Sequence, residues 1–136
     1  MTAVADGAAR SARRFQALAA LLLALATMVG AFGAHALKTR LPADRYEVLQ
    51  TAVHYQFFHA LGLLGLGLLL ERGGARALLI AARLLVVGVV LFSGSLYLLI
   101  AGAPRLLGTV TPVGGLCLIA GWLLAALELY RREPRS

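Results

Sequence analysis

An all-α membrane protein, folded as an up-and-down bundle of four transmembrane helices with a short amphipathic interfacial helix between the first and second, is what this sequence predicts. Three observations lead there. Four apolar blocks, roughly Phe15 to Leu37, Ala52 to Leu70, Leu84 to Ala103 and Val110 to Leu129, account for most of the 136 residues. Each is long enough to cross a hydrocarbon core of about 30 Å, which takes about 20 mostly apolar residues as helix. The composition is 60% hydrophobic and 14% charged, with a mean hydropathy of +0.84. That balance suits lipid better than a water-soluble domain of this size.

The third observation is where the cations sit. A net charge of +7 raises nucleic acid as a partner, but the basic residues form no helix-face stripe and no run with interleaved aromatics, so none is expected. They stand at the ends of the blocks instead. Arg10, Arg13 and Arg14 precede block one, Arg72, Arg76 and Arg83 surround the second connection, and Arg131, Arg132 and Arg135 close the chain. Only Lys38, Arg40, Arg45 and Arg105 fall on the other side. The positive-inside rule then puts both termini in the cytoplasm. The expected organisation is a basic cytoplasmic tail over 1–14, a four-helix membrane domain over 15–130 and a second cytoplasmic tail over 131–136.

Block one opens like a secretory signal, with arginines, an apolar run and an Ala34-His35-Ala36 sequence of the cleavage type. The run from Ala17 to Ala34 exceeds the usual signal core of about 7 to 15 residues, so it reads as a retained helix. It is also apolar all round, unlike an amphipathic mitochondrial presequence. The first connection, Lys38 to Thr51, has internal structure: Pro42 suits a first helical position, and Asp44 and Glu47 favour a helix start. Tyr46, Leu49 and Val53 recur at spacings of three and four, the pattern of an amphipathic helix at the outer interface leading into block two. The second connection, Glu71 to Arg76, and the third, around Pro104 to Gly108, are short and glycine-bearing, which makes consecutive blocks antiparallel neighbours.

Within lipid, helices associate by close backbone approach at small residues. Ala26, Gly30 and Ala34 in block one, and Cys117, Gly121 and Ala125 in block four, offer such residues at four-residue spacing, for pairing inside the bundle or between protomers. Cys117 is the only cysteine, flanked by leucines, and reads as a small packing residue with no disulfide or metal motif. Arg83 and Glu128 are charges within spans. Both fall near cytoplasmic helix ends, where Arg83 can snorkel and Glu128 can pair with Arg131, with Arg132 or with Arg83.

The opposite half carries the polar side chains. His35 ends block one, His54, Gln56 and His59 open block two, Ser93, Ser95 and Tyr97 follow in block three, and Thr109 and Thr111 begin block four. Imidazole is both a ligand and a titrating group, so metal, haem or proton handling is one reading of this cluster. His54 and His59 are five apart and diverge by about 140°, so a bound group needs His35 with one of them. Hydrogen bonds that bridge helices are the other reading, and no metal or cofactor is predicted. No catalytic set emerges either. Ser93-Gly94-Ser95 lacks the flanks of a nucleophile elbow, and Asp44, Glu47, Glu71 and Glu128 come from different ends of the bundle.

Four stretches resemble one family: Gly30 to Leu37 (GAFGAHAL), Thr51 to Leu61 (TAVHYQFFHAL), Leu91 to Tyr97 (LFSGSLY), and Thr109 to Gly115 (TVTPVGG) with Gly121-Trp122. The chain is identified on these as resembling the domain-of-unknown-function 423 family, itself similar to transmembrane protein 256. The resemblance implies a small multi-pass protein of the bacterial inner membrane, uncleaved after Ala36, with no established activity. Its motif residues coincide with the polar cluster, which makes those positions the candidate site. The expected function is that of a non-enzymatic accessory, scaffold or oligomeric membrane component, with the lipid bilayer and a homo-oligomer or larger membrane complex as partners. One alternative is a small transporter or channel subunit using the cluster, with Thr111-Pro112 breaking the start of block four. A haem- or metal-binding membrane protein is the other.

Overall fold

The computed structural model describes residues 2–131. Arg132 and Arg135, counted above toward orientation, and nearly all of the C-terminal tail lie outside the described residues. Four long helices follow one another: α1 (Thr2–Phe32), α2 (Ala43–Glu71), α3 (Arg76–Ile100) and α4 (Val110–Arg131). A π-helical turn (Gly33–Leu37) extends α1, and a 3-10 turn (Arg105–Thr109) leads into α4. All four are long and apolar enough to cross a membrane, as the apolar blocks predict. The fold class is the expected one, an all-α up-and-down bundle.

One element differs in detail. The amphipathic segment of the first connection is helical, but it is not a separate helix, because α2 runs unbroken from Ala43. Nothing between Ala43 and Leu61 is glycine or proline, so nothing interrupts the hydrogen-bond ladder. Its apolar face is also spent on another helix. Leu49 is buried, and a Cβ on Gly33 would lie 2.9 Å from its Cδ2.

The turns follow local chemistry. Gly73 (φ +90°) ends α2 and Gly102 (φ +96°) ends α3, in a region open to glycine and strained for other residues. After α3 the Gly102 N–H donates to Leu99 O (3.2 Å) and the Ala103 N–H to Leu98 O (3.0 Å), a Schellman closure that satisfies the last carbonyls. Pro112 falls in the first turn of α4, where its missing N–H forfeits no intrahelical bond. It therefore does not break the helix.

Packing follows a seven-residue period. Ala12, Ala19, Ala26 and Gly33 are buried on α1, and Leu49, Gln56, Leu63 and Leu70 on α2. Such a repeat keeps a single seam facing a neighbour across a shallow crossing angle. On α4 the buried residues are Gly114, Leu118, Gly121 and Ala125, alternating steps of four and three. Leu118 fills the space at Gly88 of α3, and a Cβ on Gly114 would run into the α3 backbone at Leu91 and Phe92. Of the small residues expected to pack, Ala26, Gly121 and Ala125 are buried, Gly30 and Cys117 half-buried and Ala34 exposed.

Extensive contacts join α1 to α2, α2 to α3 and α3 to α4; among the described residues α1 and α4 are not such a pair. The central pair is therefore α2 and α3. Trp122 carries α4 across to α2 by occupying the space beside Gly62. Around this core the outer surface is apolar, with Leu21, Met28, Phe32, Phe58, Val90, Ile119 and Leu123 all exposed. In water such a surface marks an aggregation hazard; in a bilayer it is the ordinary lipid-facing surface.

Candidate functional site

Gln56 occupies a leucine-type position in the α2 seam, between Leu49 and Leu63, and is 5% exposed. A primary amide buried there has to find partners on the neighbouring helices. It finds one on each side. Its Nε2 donates to Leu22 O of α1 (2.8 Å), and its Oε1 accepts from the Tyr97 hydroxyl of α3 (2.9 Å). Tyr97 reaches Gln56 because aromatic side chains on a helix lean toward its N-terminus. One turn away, Ser93 (1% exposed) donates to Ala52 O across the α2–α3 contact (2.8 Å). Tyr55 and Phe92 stack beside it, with centroids 4.2 Å apart.

A second node joins α3 to α4. Ser95 (3% exposed) lies 2.7 Å from the Thr111 hydroxyl and donates or accepts there, while its oxygen also sits 2.9 Å from Phe92 O. Thr109 stays local and exposed, donating to Leu106 O at 2.7 Å. Every buried side-chain nitrogen or oxygen among the described residues has a hydrogen-bond partner.

The histidines are not gathered. Gly30 faces Val53, Gly33 faces Leu49 and Gly67 faces Gln16, which sets the antiparallel register of α1 and α2. In that register His35 stands level with Glu47 and His59 with about Leu23, an axial separation of about 18 Å at about 1.5 Å per residue. The expectation of three imidazoles in one leaflet is corrected accordingly. It placed block two from where its apolar run begins, whereas the first turns of α2 lie outside that run and carry His59 toward the middle of the span. His35 and His54 are also exposed. His59 is half-buried, and its Nδ1–H donates to Tyr55 O (2.6 Å), since a carbonyl can only accept. Its ring stacks on Tyr55 at 5.5 Å and tilts against Trp122 at 6.3 Å. No group of three His, Cys, Asp or Glu stands in metal-holding range among the described residues.

Of the nine candidate positions, six therefore join into two hydrogen-bonded or packed nodes around Gln56, Ser93 and Tyr97 and around Ser95 and Thr111, with His59 at the rim. His35, His54 and Thr109 stand apart. Of the two charges within spans, Arg83 is exposed on α3, and Glu128 is half-buried on α4, more than a turn nearer the terminal end of the bundle. One participant was not singled out from the sequence: the Leu22 carbonyl carries no residue-type signal. Trp122 belongs to a recognised motif, but its pairing with Gly62 joins two apolar blocks, and spacing within either block does not reveal it.

Four span-length helices with an apolar exterior and an internally satisfied polar interior define an integral membrane protein. Residues 29–115, which contain the whole polar cluster, match the family described as protein of unknown function (DUF423). The chain belongs to that family. It is similar to the UPF0382 membrane protein YwdK of Bacillus subtilis, 40% identical over 118 residues covering 86% of this chain and 96% of the relative. A UPF0382 membrane protein of Staphylococcus haemolyticus is 41% identical over 119 residues (86% and 95% covered). The UPF0382 inner membrane protein YgdD of Escherichia coli K12 is 42% identical over 107 residues (76% and 82% covered). No solved structure matches.

Proposed function

We propose that this chain is a non-enzymatic scaffold or accessory component of the bacterial inner membrane, with both termini cytoplasmic, and that the polar cluster serves the register of its helices. The observation that carries this reading is the use of Gln56. Its nitrogen donates to one neighbouring helix and its oxygen accepts from another. A single buried polar residue in a heptad seam is a well-attested means of fixing register. A transport or catalytic site would instead keep donors or acceptors free for a ligand. The scaffold reading expects a homo-oligomer or a larger membrane complex, since one chain of four helices offers a partner more surface than it offers a solute volume.

Affinity purification of the full chain in mild detergent tests it. A stable oligomer or a recurrent membrane partner is expected; recovery of monomer alone, repeatedly, removes the scaffold role. Substituting His59 and Gln56 in proteoliposomes separates it from transport: a solute flux that disappears with these substitutions overturns the reading.

A further inference from the structure

At the terminal end of the bundle, away from the polar cluster, two adjoining cavities of about 290 and 250 Å³ lie between α1 and α3. On α1 the lining residues Ser11, Arg14, Phe15 and Leu18 fall at steps of three, one and three, a single helix face. On α3 the facing residues are Arg76, Leu79 and Arg83, again one face, with Leu79 and Ser11 shared by both cavities. The resulting groove has an apolar floor of phenylalanine and leucine and a rim of three guanidinium groups. Among the described residues, none of those lining it is acidic. Glu71, at the end of α2 next to lining residue Leu70, is bonded to Gln16 (3.0 Å).

Arg83 is the residue that calls for an explanation. It lies two turns inside α3, between Ala82 and Leu84, and among the described residues it has no ion-pair or hydrogen-bond partner. A charge at that depth in an apolar span is retained where something offsets its desolvation. Basic pockets between membrane helices are suited to the phosphate of a lipid headgroup. We propose that this groove binds an anionic phospholipid, its phosphodiester held by Arg14 and Arg83 with Arg76 above, and its acyl chains lying along Phe15, Leu18 and Leu79. A soluble phosphate matches the arginines but has no use for the apolar floor. The site does not depend on the role proposed for the Gln56 node.

The test is native mass spectrometry of the full chain in non-ionic detergent, with phosphatidylglycerol and phosphatidylcholine offered at equal concentration. Preferential retention of phosphatidylglycerol is expected, weakened about fivefold by Arg14→Gln or Arg83→Gln and more by the two together. Arg83→Lys should keep most of it. The pair Lys38→Gln and Arg40→Gln, exposed at the other end of the bundle, should keep all of it. Equal retention of both lipids, or an equal loss in the Lys38/Arg40 pair, overturns the proposal. So does displacement by millimolar inorganic phosphate, which assigns the site to the free anion. If Arg83→Gln lowers the melting temperature, Arg14→Gln on exposed α1 decides the matter.

Discussion

At residue scale, Gln56 dominates the interior because each of its hydrogen bonds joins a different helix to α2. Interhelical hydrogen bonds in membrane proteins are each worth about 0.6 kcal/mol on average and at most about 1.7. Gln56→Leu, which keeps the volume and removes both bonds, should therefore cost about 1 to 3 kcal/mol of stability, read as denaturation in mixed detergent micelles. Tyr97→Phe removes one of the two and should cost about half as much. A double-mutant cycle between the two positions should show coupling, because the bonds share one amide. Fully additive losses mean that the amide and the phenol act independently. Thr111→Val tests the second node and should cost about 0.6 kcal/mol without altering the Gln56 cycle.

At the scale of the helices, the glycines sort by what a side chain would strike. Gly65 has open space around it, so Gly65→Ala should be neutral or slightly stabilising through better helix propensity. At Gly62 the obstacle is the ring of Trp122. Gly62→Leu should therefore destabilise the bundle by about 1 to 3 kcal/mol, and Trp122→Ala in the same chain should recover much of that loss. At Gly114 the obstacle is α3 backbone, which no side-chain change can move aside, so Gly114→Leu should have no such rescue. Thermal melts of these single and paired variants in detergent check all three. The same comparison explains how far the sequence could be read. Helix number, order and antiparallel connection were legible, because bilayer thickness fixes the length of an apolar block and short connections fix neighbours. The seam was legible only in part. A four-residue motif picks out Ala26, Gly30 and Ala34, whereas the seam follows a seven-residue period through Ala12, Ala19, Ala26 and Gly33. A chain this rich in alanine and glycine satisfies both periods, and only the partner helix decides between them. The grouping of His35, His54 and His59 failed for a related reason: block boundaries set axial height only where the helix ends with the apolar run, and α2 begins nine residues before block two.

For the whole molecule, the proposed orientation, with both termini cytoplasmic, rests on the asymmetry of the cations. With Cys117 replaced by serine, single cysteines at Thr39 and Ala103 should react with a membrane-impermeant thiol reagent in intact cells, and one at Gly73 only after permeabilisation. Reaction at Gly73 in intact cells reverses the orientation. The order of helix contacts has a further bearing, on biogenesis. Because α2 lies on α1, α3 on α2 and α4 on α3, every span that leaves the ribosome meets its principal neighbour already in the bilayer, and none must wait for a later one to be shielded. The Gln56 amide belongs to two stages of that order. It can take the Leu22 carbonyl as soon as the first hairpin forms, but its oxygen stays unengaged until Tyr97 arrives at the end of the third span. Chains halted after α2 should persist as a hairpin that is inserted yet still open to capture by a donor from elsewhere.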